Sequence, residues 1–196
     1  MSQLKKEVLD TALRMYNDKM CAGTSGNISA FLREDQLIVI TPSSYDYSIM
    51  EEKDIVVIDL DGNVVDGWLK PSSEWKMHAE IYKNLSHVDA VIHTHSPYAT
   101  SFAVTRSEIP VILIEMGPFI KGSIEVSPYA AQGSPEVGSY AVPILKRKNA
   151  CLLANHGVVA VGKSLDNAYL SAVYVEDAAK IYHLALSTGI PVVIDD

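Results

Sequence analysis

This sequence is poor in the features that announce a compartment or a polymeric partner. It has two cysteines, Cys21 and Cys151, too few for a disulfide framework, and both are expected in or near the core as reduced thiols. The first residues, Met1-Ser2-Gln3-Leu4-Lys5-Lys6-Glu7, carry no apolar signal core, and no run approaches the roughly 20 apolar residues of a membrane span. A cytoplasmic protein with no membrane partner is the expectation. Cationic side chains are also scarce: 16 Lys and Arg stand against 24 Asp and Glu, a net charge of -8. Their densest group, Lys146-Arg147-Lys148, reads as a solvated helix end, so a nucleic-acid surface is not expected. An anion would have to be met locally, by backbone amides and hydroxyls. Repeats, low-complexity tracts and interdomain linkers are missing too. At 196 residues, 48% of them apolar, the chain (1–196) is expected to be one domain with a sizeable core.

The elements present alternate. Leu4, Val8, Leu9, Ala12, Leu13, Met15 and Tyr16 recur at helical spacing and predict an amphipathic helix over residues 2–20. Gly23-Thr24-Ser25-Gly26-Asn27 breaks it. Residues 28–31 and 37–40 then read as a hairpin turned at Glu34-Asp35, and Thr41-Pro42-Ser43-Ser44 as a turn. A strand is predicted over 54–60, a tight turn at Asp61-Gly62-Asn63 and a returning strand at Val64-Val65. Lys70-Pro71-Ser72-Ser73 is a loop whose last serine can cap a helix over 74–85. Further on, a helix over 97–105 precedes a strand over 111–114 and a long, partly structured and functional loop over 117–133. A helix over 135–146, strands over 150–154 and 158–161 about a turn at Asn155-His156-Gly157, a final helix from 164 or 165 to 187, and a short tail over 192–196 complete the order. This alternation gives an α/β or α+β single domain.

Chemistry concentrates at Val91-Ile92-His93-Thr94-His95-Ser96-Pro97, the end of a buried strand. Residues two apart on a strand share a face, so His93 and His95 project together and make half of a transition-metal site. For an isolated pair of this kind, two solvated or core histidines are the plainer reading. His156, in a turn between apolar strands, and Glu74, at the start of a helix, are the third and fourth candidate ligands. A turn histidine satisfied by backbone and a carboxylate settled at a helix N-terminus are the plainer readings of those two. His78, His87 and His183 read as helical or exposed. His78 follows Glu74 by four residues on the same helix face, where it could support that carboxylate. Gly26-Asn27, Ser43-Ser44 and Ser72-Ser73 form a second, neutral set of three turns, suited to a phosphate monoester.

Together these residues resemble the class II aldolase/adducin family, over about residues 5–185. Gly-Thr-Ser-Gly-Asn (23–27), Thr-Pro-Ser-Ser (41–44), Pro-Ser-Ser-Glu-Trp (71–75), His-Thr-His (93–95) and Asn-His-Gly (155–157) occur in the family's order. The resemblance implies a three-layer αβα domain around a mainly antiparallel sheet. It implies that Glu74, His93, His95 and His156 hold one divalent metal per subunit, usually zinc. It assigns Gly26, Asn27, Ser43, Ser44, Ser72 and Ser73 to the phosphate of a sugar substrate. It also implies a homotetramer with active sites between subunits.

In the aldolases that this sequence resembles, the metal acts as Lewis acid on the enediolate left when a ketose phosphate is cleaved, and the carboxylate matching Glu74 moves a proton at the nucleophilic carbon. The expected reaction converts a ketose 1-phosphate of the L-fuculose type to dihydroxyacetone phosphate and an aldehyde. Three departures mark this chain. Ser44 stands where the family usually has glycine. Residues 111–116, Val-Ile-Leu-Ile-Glu-Met, lack the tyrosine that serves as second acid/base, which makes Glu115 the candidate. The sequence ends at Asp196 without the C-terminal tyrosine segment of the aldolase type. A pentulose-phosphate 4-epimerase, a methylthioribulose-phosphate dehydratase and a sugar-acid-phosphate decarboxylase are the alternatives on the same scaffold. An adducin-like interaction module and Schiff-base chemistry from Lys70 or Lys121 are the alternatives outside it.

Overall fold

Strand residues point alternately to the two faces of a sheet, and in this protein both faces are apolar, so both need a helical cover. The computed structural model, which describes residues 1–194, shows how that is met. Its strands are β1 (Asn27–Leu32), β2 (Leu37–Ile40), β3 (Val56–Asp59), β4 (Val64–Asp66), β5 (Ala90–Thr94), β6 (Val126–Ser127), β7 (Ala150–Leu153) and β8 (Gly157–Gly162). They form one eight-stranded sheet in the order β4-β3-β2-β1-β5-β8-β7-β6. Among the described residues β6 and β7 alone pair in parallel; the other neighbours are antiparallel.

Ile28, Ala30, Val57, Ile92, Leu152 and Ala160 turn to one side of the sheet. There they meet α1 (Ser2–Asn17), α3 (Pro97–Thr105), α4 (Met116–Ile120) and α6 (Leu165–Thr188). Phe31, Ile58, Val91, Leu153, Val159 and Val161 turn to the other side, against α2 (Trp75–Asn84) and α5 (Glu136–Leu145). Each fully buried Ile, Val or Leu in these layers contributes about 1.5–3 kcal/mol of burial free energy. The result is the three-layer αβα domain expected from the sequence. Among the described residues no helix is long and apolar enough to cross a membrane.

Several local readings are corrected. Residues 111–114 are not a strand: Pro110 precedes them without an N–H to donate, and the sheet edge beyond β7 is taken by β6. Val111, Ile112 and Leu113 pack instead on the α6-side core and lead into α4, while the Val111 carbonyl accepts from Ile194 N at 2.8 Å. Asp195 and Asp196 of the predicted tail lie outside the described residues. The 117–133 segment is the partly structured stretch expected: it contains most of α4 and all of β6. The first helix stops at Asn17, ahead of the predicted end. Lys148 is not a solvated helix end but buried, with Nζ 2.6 Å from Ser123 O and 2.8 Å from Glu125 Oε1. With Arg147 at 3.0 Å from Glu125 Oε2, it fastens the segment before β6 to the start of β7. Ser72, not Ser73, accepts the Glu74 N–H at the opening of α2, at 3.3 Å.

Candidate functional site

β5 ends in the middle of the sheet, between β1 and β8, and delivers His93 and His95 there. The β7–β8 turn brings His156 to the same end, and the loop before α2 brings Glu74. Close packing makes the convergence possible. A Cβ on Gly157 would stand 2.3 Å from Thr94 O, and one on Gly26 would stand 2.9 Å from His93 O. Gly26 also has φ +79°, in the left-handed region that glycine alone enters freely. Asn155 holds the turn in place at φ +56°, its side chain accepting from Arg106 Nε at 3.0 Å.

Each of the four residues offers one ligand atom, and these atoms all lie within 4.8 Å of one another. His93 Nδ1 donates to Val158 O at 2.8 Å, which leaves the Nε2 lone pair facing inward. That nitrogen is 2.9 Å from His95 Nε2 and 3.0 Å from Glu74 Oε2. His156 Nε2 is 3.2 Å from Glu74 Oε1, yet neither atom has a hydrogen-bond partner. Buried lone pairs converging without protons between them are costly unless a cation sits among them. Three imidazole nitrogens and one carboxylate oxygen are the donor set of a divalent transition-metal ion. The residues present therefore fit a metal.

The electrostatics agree. Burial, reinforced by the neighbouring rings, pushes His95 and His156 down to about 4, so both are neutral at neutral pH. Burial alone would raise Glu74, but His93, His156 and the Asn27 amide together hold it well below the usual carboxylate range. Glu74 is the one anionic ligand of the cluster, and a divalent ion would outweigh its charge.

A cavity of about 300 Å3 opens directly on this cluster. Gly26, Asn27, Ser43, Ser44, Ser72 and Ser73, the six residues expected to meet a phosphate, line it together with Glu74 and His95. The two serine turns are fastened to each other, Ser43 N donating to Lys70 O at 2.9 Å and Ser72 N to Thr41 O at 3.0 Å. Those two amides are thus spent, and it is the serine hydroxyls that are on offer. Ser44 holds φ +52°, a conformation that explains the family's glycine at this place. Among the described residues no lysine or arginine lines the cavity.

Asn27 lines the cavity, but its side chain is committed elsewhere: Nδ2 donates to Glu74 Oε2 at 3.1 Å, and Oδ1 accepts from His78 Nε2 at 2.5 Å. One Nδ2 hydrogen is left for an anion. Glu115 does not join the cluster; it stands half-buried at the N-terminus of α4 and is not among the cavity's lining residues. Lys70 and Lys121 are exposed and are not among the cavity's lining residues. One residue escaped the sequence reading. Gln132 lines the cavity from the 117–133 segment, carried in where Gly133 packs 3.2 Å (at a built Cβ) from Ser73 O; only the segment's length hinted at it. His78 is helical, as read, but fully buried, and its spacing from Glu74 was the available signal.

An αβα domain with three histidines and a glutamate clustered at the end of its central strands, opening on a hydroxyl-lined cavity, defines the metal-dependent class II aldolase fold. Comparison with known proteins agrees. The model of the class II aldolase and adducin N-terminal domain matches residues 6–183, and the chain belongs to that family. It is 34% identical over 187 residues to a 5-deoxy-D-ribulose 1-phosphate aldolase of Bacillus thuringiensis serovar kurstaki, covering 95% of this chain and 87% of that one. It is 33% identical to the L-fuculose phosphate aldolase of Escherichia coli, covering 100% and 90%. A solved structure of an L-fuculose 1-phosphate aldolase superposes with a TM-score of 0.95 at 40% identity, over 100% of this chain and 92% of that one.

Proposed function

We propose that this protein is a zinc-dependent aldolase that cleaves a ketose 1-phosphate of the L-fuculose type to dihydroxyacetone phosphate and an aldehyde. The observation that carries this reading is the shared wall: Glu74 belongs both to the ligand cluster and to the cavity with the serine hydroxyls. A phosphate held by those hydroxyls puts the adjoining carbons of the sugar beside Glu74 and His95. The Bacillus thuringiensis relative and the solved structure named above are, by their names, aldolases of sugar 1-phosphates.

When bound by Glu74, His93, His95 and His156, zinc supplies Lewis-acid stabilisation of the negative charge that carbon–carbon cleavage leaves on the ketose oxygens. The chain's own groups do the rest. Gly26, Asn27, Ser43, Ser44, Ser72 and Ser73 anchor the phosphate. Glu74 delivers a proton to the carbon that becomes the hydroxymethyl end of dihydroxyacetone phosphate, and takes one from it in the reverse direction. Glu115 takes the proton from the hydroxyl that becomes the aldehyde oxygen. Since it lies away from its own cavity, it does so in the site of a neighbour, within a cytoplasmic homotetramer of one-domain subunits.

The test is a coupled assay for dihydroxyacetone phosphate with L-fuculose 1-phosphate and 5-deoxy-D-ribulose 1-phosphate. Turnover that is lost on chelation and regained with zinc is expected. Turnover only of a pentulose 5-phosphate, a methylthioribulose phosphate or a sugar-acid phosphate would replace the aldolase reading with epimerase, dehydratase or decarboxylase.

A further inference from the structure

Behind the ligand cluster runs a buried polar chain that the proposed reaction does not use. His78 Nε2 lies 2.5 Å from Asn27 Oδ1, and its Nδ1 lies 2.6 Å from Ser29 Oγ. Ser29 Oγ lies 2.7 Å from the Tyr82 hydroxyl. At the other end Asn27 Nδ2 reaches Glu74 Oε2 at 3.1 Å. Tyr82, Ser29, His78, Asn27 and Glu74 are all buried, His78 with no exposed surface. The elements explain the meeting: Asn27 and Ser29 share the β1 face that α2 covers, and His78 and Tyr82 stand one turn apart on α2.

The direction of every proton follows from the end of the chain. An ionised carboxylate only accepts, so Asn27 must turn its amide nitrogen to Glu74 and its oxygen to His78. His78 must then carry its proton on Nε2 and keep a lone pair on Nδ1. The Ser29 hydroxyl donates to that lone pair, and the Tyr82 hydroxyl, which also donates to Ser29 O at 3.0 Å, closes the chain behind it. The three donors Ser29, His78 and Asn27 therefore point toward Glu74, and reversing any of them sets two acceptors or two donors face to face. A neutral ring is required at the centre, and burial, which pushes His78 down to about 3, keeps it neutral.

We propose that His78, acting through Asn27, is a positioning residue that pins Glu74 Oε2 and holds this carboxylate oriented toward the metal and the cavity. The proposal rests on the reading of Glu74 as a metal ligand. It accounts for the asymmetry of that side chain, in which Oε2 is tethered while Oε1 has no hydrogen-bond partner and is left for the cation. It also gives a histidine at the centre of the α2 layer a reason to be polar.

The experiment is titration of the metal-free protein with Co2+ alone, read by its visible absorption, for wild type, His78→Phe and His78→Gln, with melting temperatures measured alongside. Groups that support ligands in this way change metal affinity by about 10–100-fold. H78F should therefore bind Co2+ at least about tenfold more weakly and with an altered spectrum, while H78Q, which still offers an N–H to Asn27, should recover to within about threefold of wild type. If H78F melts lower but binds with wild-type affinity and spectrum, His78 only fills space and the proposal is overturned. Should H78F not fold, Ser29→Ala decides: a loss of about threefold or more supports the chain, and unchanged affinity overturns it. A wild-type protein that takes up no Co2+ would instead remove the metal reading itself, a distinguishable result.

Discussion

The β5–β8 contact at Gly157 offers the most direct test of how the fold builds the ligand cluster. Gly157→Ala adds one methyl group at a point where a Cβ would sit 2.3 Å from Thr94 O, 3.1 Å from His95 Cδ2 and 3.3 Å from His93 Cε1. The first contact is with backbone, which cannot swing aside, so the two strand ends must part by about 1 Å to reach ordinary van der Waals separation. That opening acts directly on the bond between His93 Nδ1 and Val158 O, now 2.8 Å, and so on the tautomer that turns His93 Nε2 inward. Overpacking of this kind costs about 1–3 kcal/mol, which lowers the melting temperature of a chain this size by about 2–12 °C. Loss of the carbonyl that orients a ligating histidine weakens metal binding by about 10–100-fold. Both are measurable together, by thermal unfolding of the metal-free protein and by Co2+ titration. G157A with wild-type melting temperature and wild-type affinity would refute the claim that this close approach shapes the site. Lower stability with intact affinity would refute its second half alone.

Other outcomes follow from single residues. Ser44→Gly should raise the metal-free melting temperature, because releasing a side chain from φ +52° gains about 0.5–1 kcal/mol after the extra freedom of the unfolded chain is deducted; a lower melting temperature would contradict it. His95→Ala, at a half-buried strand end, should abolish metal binding and turnover with the circular dichroism spectrum unchanged, and full metal stoichiometry in that variant would reject the ligand assignment. Glu125, held below its ordinary range by hydrogen bonds from Arg147 and Lys148, should confer stability that is present at neutral pH. Because its folded-state pKa is lowered, that contribution is lost as pH falls through the carboxylate range. The urea midpoints of wild type and Glu125→Gln should thus differ at pH 7 and converge in acid; a gap that widens in acid would reverse the sign.

The site was far more legible than its surroundings. His93, His95, His156 and Glu74 could be read from the sequence because strand periodicity and turn chemistry fix where such residues point, and the order of the five motifs supplied the rest. The serine turns were legible for the same reason. The bonds of Asn27 to Glu74 and His78 were not, because a side chain amide beside a carboxylate and a buried imidazole is a tertiary fact. Residues 111–114 misled through composition: four apolar residues satisfy a strand or a helix layer equally well, and the parallel strand β6, only two residues long, had already closed that edge of the sheet. Lys148 misled through charge, since nothing local announces that Ser123 and Glu125 will meet it. Glu115 remains apart from the cluster within one chain, so any catalytic use of it depends on a second copy.

The charge of the molecule ties the metal to the proposed substrate more tightly than either site does alone. A chain of net charge -8, with no lysine or arginine among the described residues of the cavity wall, has no fixed cation there to offer a phosphate. Serine hydroxyls can shape a phosphate site but cannot neutralise a dianion. On the proposed reading, the neutralising charge must come from the ion held by Glu74 and the three imidazoles, whose site is cationic when filled. Substrate binding is then conditional on metal binding by electrostatics, before any chemistry occurs. The pinned carboxylate of Glu74 sits at the junction, fixed from behind by Asn27 and His78 and shared in front by the metal and the cavity.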